Sequence, residues 1–369
     1  MIKLAIIGAS YLQLPLVHKA KEMGIETHCF AWKDGAVCAD FSDFFYPISI
    51  LDKEGILEKC REIGIDGITT IATDMAVTTI SFVAESLGLI SNSYKSALMS
   101  TDKLAMRKAF KMGECSIPKF VEVTDGAYCI GDFLFPLIIK PSDRSGSRGV
   151  TKVDIEEQIS LAINSAMEES FSKKVIIEEY IDGTEVSVET ISWHGEHKIL
   201  AITDKVTTGA PHFVELAHHQ PSSLSTSVLN RIQEETIKCL NALDIKFGAS
   251  HAEFKITSKG EVFAIEVGAR MGGDFIGSTL VQLSTGYDYL KSTIDISLGN
   301  YQSPNIRSKG YAGVYFLSEE TKSLLPYFRQ LNDFDYQKEI LNEDLKYIKN
   351  SNDRSGYLIY YSDKKVNLL

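Results

Sequence analysis

The chain is short of cationic charge, of long apolar runs and of patterned cysteine, and each shortage removes a class of protein. Lys and Arg number 38 against 49 Asp and Glu, and the formal net charge of −11 argues against general binding to nucleic acid or anionic membrane. It leaves room for a locally positive phosphate pocket. No apolar run approaches the roughly 20 residues that span a bilayer. The start, Met1-Ile2-Lys3-Leu4-Ala5-Ile6-Ile7-Gly8, enters a strand without the apolar stretch and cleavage site of a signal peptide. Six cysteines (Cys29, Cys38, Cys60, Cys115, Cys129 and Cys239) are scattered with no CxxC, so reduced thiols in a cytoplasmic protein are expected. There is no internal repeat and no low-complexity tract. The turn Gly8-Ala9-Ser10-Tyr11-Leu12-Gln13 lacks the second and third glycines of GxGxxG, which argues for a plain strand-to-helix turn and against a dinucleotide site.

What is present is an alternation of elements. Strands are expected at 3–7, 26–31 and 67–72, with helices between them and at 55–63 and 77–87, so the first hundred residues predict a parallel sheet covered on both faces. Residues 91–102, rich in Ser, Asn and Thr, read as a domain boundary. Asp102 can cap a following helix that opens Lys103-Leu104-Ala105-Met106. Beyond it we expect strands at 133–140, 174–180 and 185–191, helices at 155–170 and 229–243, and strands at 310–317 and 356–361 in a small C-terminal subdomain. With 369 residues, two or three domains are affordable: 1–98, 99–300 with a lid at about 116–185, and 301–369.

Glu253 and Glu266 carry the strongest chemical signal. Both Ser250–Thr257 and Glu261–Val267 alternate apolar and polar residues around a turn at Ser258-Lys259-Gly260. A Lys259-Gly260 loop would pair Ile256 with Phe263, Phe254 with Ile265, and Glu253 with Glu266. Two carboxylates about 5 Å apart on one face repel by roughly 3 kcal/mol at an effective dielectric of 20. A divalent cation reverses that sign, and Mg²⁺ commonly takes one or two carboxylates and fills its other positions with water and phosphate. Screened edge glutamates or a slipped register are the competing readings.

Other segments add polar chemistry. Lys140 closes an apolar strand ahead of Pro141-Ser142-Asp143-Arg144-Ser145-Gly146-Ser147-Arg148-Gly149, where small residues let backbone N–H groups approach a polyphosphate and cations neutralise it. Val175 to Glu189 reads strand, turn, strand, with an edge that suits adenine and a carboxylate beyond the turn that suits ribose. In the run Gly268 to Gly277, Arg270 can cradle a carboxylate or acyl phosphate; Gly273 is a further substrate candidate, with packing behind the strand as the alternative for Gly272 and Gly273. Asp204 to Pro221 is an irregular, His-rich stretch whose spacing fits no closed zinc motif. It suits a substrate loop, with Lys205, His212 and Glu215 contacting carboxylate or amine. His251 reads equally as a satisfied buried histidine.

In this order the elements resemble the ATP-grasp family of ligases: Thr101-Asp102-Lys103, Ile139-Lys140-Pro141 with its glycine-serine loop, Glu178-Glu179-Tyr180-Ile181-Asp182-Gly183-Thr184-Glu185, Glu253, and Glu266-Val267-Gly268-Ala269-Arg270. The likeness covers residues 1 to about 300, and the 204–221 stretch is similar to that of the dipeptide-forming L-amino acid ligases. It implies an α+β ATP-grasp fold after an N-terminal α/β domain, and an ADP-forming ligase that joins a carboxylate to an amine. Lys103 and Lys140 would hold ATP phosphates under a lid containing Ser145, Gly146, Ser147 and Gly149. Glu179 and Ile181 would meet adenine through their backbones with Glu178 nearby, and Glu185 would bind ribose. Glu253 and Glu266 would bind Mg²⁺ (or Mn²⁺), and Arg270 would stabilise the acyl phosphate. Many members carry Asn where this chain has Gly268, which leaves one or two metal ions open. A homodimer is a family-level expectation. Purine-synthesis-type ligases or carboxylases and a non-catalytic ATP-binding module share the scaffold and are the rival readings.

Overall fold

A computed structural model describes residues 1–124, 127–144 and 148–369; Ser145, Gly146 and Ser147 lie outside the described residues. The N-terminal unit runs β1 (Lys3–Ile7), α1 (Leu14–Glu22), β2 (Glu26–Phe30), β3 (Phe44–Tyr46), α2 (Lys53–Ile63), β4 (Gly67–Thr69) and α3 (Val77–Leu87). Its strands form a parallel sheet in the order β3-β2-β1-β4. The near-continuous burial of β1 is what a sheet covered on both faces demands. Gly8 follows β1 with φ of +105°, a conformation other residues rarely adopt. Its missing Cβ leaves room for Gln13, whose side chain reaches the Ile71 carbonyl at 2.7 Å and ties this turn to the end of β4.

The stretch at 91–102 is not a linker. Ser93 caps α4 (Tyr94–Thr101), and Asp102 ends it while capping α5 (Lys103–Met112) through a 2.8 Å bond from the Ala105 amide. Asn92 bonds the backbone of Lys246 and Phe247, so the segment is stitched to the second half of the chain.

Two antiparallel sheets follow. The smaller contains β5 (Phe120–Val123), β6 (Leu137–Pro141), β7 (Thr151–Val153) and β8 (Val175–Glu179) in the order β5-β8-β6-β7, with α6 (Ile159–Glu169) packed on it. β6 begins after Pro136, which has no N–H to give a ladder, and not at Phe133 as expected. The larger has eight strands: β9 (Thr184–Trp193), β10 (Glu196–Thr207), β11 (Glu215–Gln220), β12 (Gly248–Ile256), β13 (Val262–Gly268), β14 (Tyr311–Leu317), β15 (Asp335–Ile340) and β16 (Gly356–Ser362), ordered β13-β12-β9-β10-β11-β14-β16-β15. The segment after residue 300 therefore extends the large sheet. The 204–221 stretch is also more regular than expected, because β10 and β11 pair through Asp204–His219 and Lys205–His218 and only 208–214 loops out. α7 (Thr226–Ala242) covers the large sheet with Val228, Ile232, Cys239 and Leu240.

Beyond β13 lie α8 (Val281–Thr285) and α9 (Tyr289–Ser297). Tyr289, Leu290, Ile294 and Ile296 of α9 share one core with β1, β2 and with Ile191 of β9, so the N-terminal sheet and the large sheet are packed together. A parallel bridge between Ile71 and Met271 joins the end of β4 to the glycine-rich run. All six cysteines are free, and burial pushes the thiols of Cys29, Cys38 and Cys60 up to about 12. No described helix is long and apolar enough to cross a membrane.

His219 of β11 is 4% exposed, with Nδ1 2.9 Å from the Tyr360 hydroxyl. Burial first, then Lys365 and His218, push its pKa down to about 3. The unfolded chain therefore binds a proton that the folded chain does not, between about pH 6.5 and 3. The stability from His219 is present above pH 6.5 and is lost as pH falls, at up to about 1.4 kcal/mol per pH unit. Denaturant titrations from pH 7 to 4 should show a shallower fall for His219→Asn than for the parent chain.

Candidate functional site

A cleft opens between the small and large sheets, where the ends of β6, β8, β10, β12 and β13 and the start of α5 converge. At its floor the hairpin brings Glu253 and Glu266 directly opposite each other, as expected, but the other pairs differ. Phe254 faces Ala264, Lys255 faces Phe263 and Ile256 faces Val262, with a register shift between Glu253 and Phe254. The turn spans 257–261 (Thr257 N to Glu261 O, 3.0 Å), one residue off the two-residue loop, and a bulge at Ile265 takes up the difference. Ile265 and Glu266 both line the cleft as a result, and Ile265 is not the buried partner of Phe254.

Cations meet this pair from three elements. Lys103 Nζ lies 2.8 Å from Glu266 Oε1 and donates to the Arg144 carbonyl at 2.7 Å. Lys205 Nζ lies 2.7 Å from Glu253 Oε1, 3.3 Å from Glu215 Oε1 and 4.0 Å from Glu185 Oε2. Burial alone would lower the Lys205 pKa; Glu253, Glu215 and Glu185 overcome that and raise it. Burial likewise would raise Glu253, but Lys205 and His251 hold it well below the usual carboxylate range. Among the described residues both glutamates are engaged through Oε1, which leaves Oε2 of each facing no described partner. Two adjacent carboxylates with such oxygens, beside a cleft large enough for phosphates, are a donor set that fits Mg²⁺.

A second buried charge cluster lies on the roof. Lys140 Nζ is 2.6 Å from Glu178 Oε2, and Arg107 Nε approaches Glu178 Oε1 at 2.6 Å as an ion pair without hydrogen-bond alignment. Arg107, fully buried, also donates to the Ile265 carbonyl at 2.8 Å. Burial pushes Lys140 down against the pull of Glu178, while Arg107 and Lys140 hold Glu178 below its ordinary value against burial. Sequence reasoning missed Arg107. The available signal was its position four residues after Lys103, on the same face of α5.

Glu179, Tyr180 and Ile181 line the cleft where β8 ends, with Glu179 Oε1 accepting from the Leu134 amide at 3.1 Å. Glu185 lines it too, 2.8 Å from Lys255. Gly149 stands outside the lining at φ of +70°, turning the chain toward β7.

Behind the floor, His251 is buried and satisfied. Its Nδ1 contacts Glu189, its Nε2 lies 3.2 Å from Glu253 Oε1, and Glu189 Oε2 accepts from the Gly272 amide at 3.0 Å. Glu189 lifts the imidazole to about 9 against burial, so it is cationic at neutral pH. A Cβ on Gly272 would collide with Glu189 and His251, which accounts for that glycine by packing. A Cβ on Gly268 would collide with Asp74, whose carboxylate reaches in from the loop after β4 to hold Arg270 at 2.7 Å. An asparagine at 268 would displace that pair. Glu189 and Asp74 went unrecognised in the sequence.

A second cleft joins the first along Asp74, Lys205, Glu215, His251, Glu253 and Arg270, and runs to the turns that follow β1, β2 and β4. This is the carboxyl edge of a parallel sheet, where open α/β folds bind ligands. Gly273 lines it, whereas His212 is exposed on the 208–214 loop and lines neither cleft. His218, Asp274 and Arg354 line or border it and were not foreseen.

Removing Arg107 would leave Glu178 buried with one cation in place of two. Arg107→Met should cost about 3–5 kcal/mol in chemical denaturation, and adding Glu178→Gln should recover part of it. Full additivity of the two substitutions would show that the pair is not coupled.

The ATP-grasp domain family matches residues 133–278 of this chain. Alanine–anticapsin ligase of Bacillus subtilis strain 168 is 28% identical over 278 residues, covering 65% of this chain and 58% of that protein. The carbamoyl phosphate synthase large chain of Caldanaerobacter subterraneus is 26% identical over 316 residues; the match takes in 83% of this chain, which spans only 28% of that relative's length. Among solved structures, an L-amino acid ligase from Bacillus licheniformis superposes with a TM-score of 0.80 at 20% identity, covering 98% of this chain and 93% of that one, a likeness of fold. Residues 133–278 thus match an ATP-grasp domain, and the chain is similar in sequence and in fold to ligases that carry one.

Proposed function

We propose that this chain is an ADP-forming ligase that uses ATP and Mg²⁺ to activate a carboxylate and couple it to an amine, with an amino acid among its substrates. The observation that carries the reading is a single cleft lined by Lys103 and Lys140 together with the opposed carboxylates of Glu253 and Glu266. Residues 1–98 would supply the substrate-facing turns, 99–300 the nucleotide site with its lid at about 116–185, and 301–369 the far wall. A cytoplasmic location suits the free thiols.

A carboxylate is a poor electrophile because its charge is spread over two oxygens and it has no good leaving group. Its oxygen attacks the γ-phosphorus of ATP, ADP departs, and an acyl phosphate forms. The amine then attacks the acyl carbon, loses a proton, and expels phosphate. Lys103 and Lys140 would neutralise the phosphates, exchanging their carboxylate partners for phosphoryl oxygens. Glu179 and Ile181 would present backbone to adenine, and Glu185 would accept from ribose. Glu253 and Glu266 would hold Mg²⁺, which screens charge on the transferred phosphoryl group. Arg270, aimed by Asp74, would steady the acyl phosphate from the substrate side. Exclusion of water from the site would protect that intermediate from hydrolysis. Lys205 and Glu215 would contact the substrates.

The second cleft carries both signs of charge, with Asp34, Asp74, Glu215 and Asp274 beside Arg148, Lys205 and Arg270, a mixed lining that supports a zwitterionic amino acid as substrate. A pure nucleotide sensor has no need of a second cleft joined to the first at Arg270.

Phosphate release from ATP and Mg²⁺ should appear only with certain pairs of amino acids, and mass spectrometry should find the amide. Glu266→Gln should lower the rate by at least about 100-fold, as loss of a charge-stabilising group does elsewhere. Release that depends on bicarbonate or a phosphoribosyl amine would replace this reading with the purine-type one.

A further inference from the structure

One corner of the second cleft holds a group with no part in the chemistry above. His218 of β11 lines the cleft at 1% exposure, yet among the described residues neither ring nitrogen has a hydrogen-bond partner. Its nearest charged neighbour, Asp274 Oδ2, is 3.7 Å from Nε2, beyond hydrogen-bond reach. A buried polar group left unpaired is costly, and one facing a cleft is a place for a ligand. Burial pushes the imidazole down, so it is neutral and presents an acceptor nitrogen.

Beside it, Asp274 is held in place from the far end of the chain. Arg354 NH1 donates to Asp274 Oδ2 at 2.8 Å, while NH2 donates to Glu215 Oε2 at 3.1 Å and to the Glu215 carbonyl at 3.0 Å. The guanidinium lies over the Phe316 ring at 3.7 Å. Its planar fork thus fixes two carboxylates at once, and Asn350, Ser351 and Asn352 of the same segment form the adjoining wall. Asp274 and Phe275 both adopt positive φ, of +50° and +66°, a strain that is met at binding sites. Asp274 Oδ2 is committed to Arg354, and Oδ1 remains for a ligand.

We propose that His218 and Asp274 form a subsite for a protonated amino group of the substrate, and that Arg354 is the positioning residue that aims Asp274 into it. A neutral imidazole acceptor next to an ionised carboxylate suits a group that brings both N–H donors and positive charge. The Oδ1 of Asp274 that Arg354 does not bind works against an anionic group in this corner. The inference rests on the ligase reading for its substrate class.

The amino group can be the α-ammonium or one on a side chain, and paired probes separate the two: L-alanine against L-lactate, and L-ornithine against L-norvaline. Binding of each is measured by calorimetry on the full chain with ATP and Mg²⁺, and turnover by phosphate release. Asp274→Asn should weaken the amino-bearing probe of one pair by about 10- to 100-fold and leave the analogue that lacks that amino group unchanged, the loss expected for one charge-assisted bond. The KM for ATP should not move. Arg354→Met should produce the same selective loss with a smaller change in kcat, and Arg354→Lys should restore part of it; a merely structural role would shift thermal stability and all ligands together. Equal affinity of the parent chain for both members of each pair, or no change in Asp274→Asn, overturns the subsite. Absence of turnover with every pair, alongside selective binding, would sink the ligase reading and leave the subsite standing.

Discussion

Two carboxylates, Glu253 and Glu266, face each other across one antiparallel pair, and the rest of the site is arranged around that repulsion. Lys103 and Lys205 each take one oxygen, and cationic His251 shares the load on Glu253. These partners come from a helix start, from β10 beyond the intervening β9, and from the same strand, so hairpin, sheet and α5 must all be in place before the pair can be tolerated. The cost of bringing them together is met by neutralisation, and the geometry that results is one a divalent cation and a polyphosphate can share.

The roof repeats the logic with signs reversed. Arg107 and Lys140 share one buried carboxylate, Glu178, which leaves the cluster net positive. Arg107 also bonds the carbonyl of Ile265, the bulged residue next to Glu266. Roof and floor are thereby linked through one side chain. The second cleft is linked as directly: Asp74 reaches from the loop after β4 to Arg270, and the Ile71–Met271 bridge continues β4 into the glycine-rich run. The turns of the N-terminal sheet and the strands of the large sheet are therefore packed together.

The placement of the opposed glutamates and of Lys103 was legible because their signals are local. Glu253 and Glu266 stand on alternating strands either side of one turn, and Lys103 follows a capping aspartate. The register beyond the glutamates was not legible. A loop of two residues and a longer loop compensated by a bulge predict the same Glu253–Glu266 pair, and only the packing of Phe254 against Ala264 distinguishes them. His212 drew attention by composition, although the paired strands around it leave it at the exposed loop tip while Lys205 and His218 turn inward. Gly268 read as a lost ligand; in the structure it is space taken by Asp74.

By itself the sequence determined the alternation of strands and helices, the helix caps and the opposed glutamates, because each follows from periodicity or turn chemistry within about a dozen residues. Tertiary structure alone decided the partners. Arg107 meets the Ile265 carbonyl across 158 positions, and His251 meets Glu189 across 62. Arg354 meets Glu215 across 139 positions and Asp274 across 80, through strands that join the large sheet instead of standing apart. No local pattern encodes such contacts, since whether a buried charge is tolerable depends on which distant charge the fold brings to it.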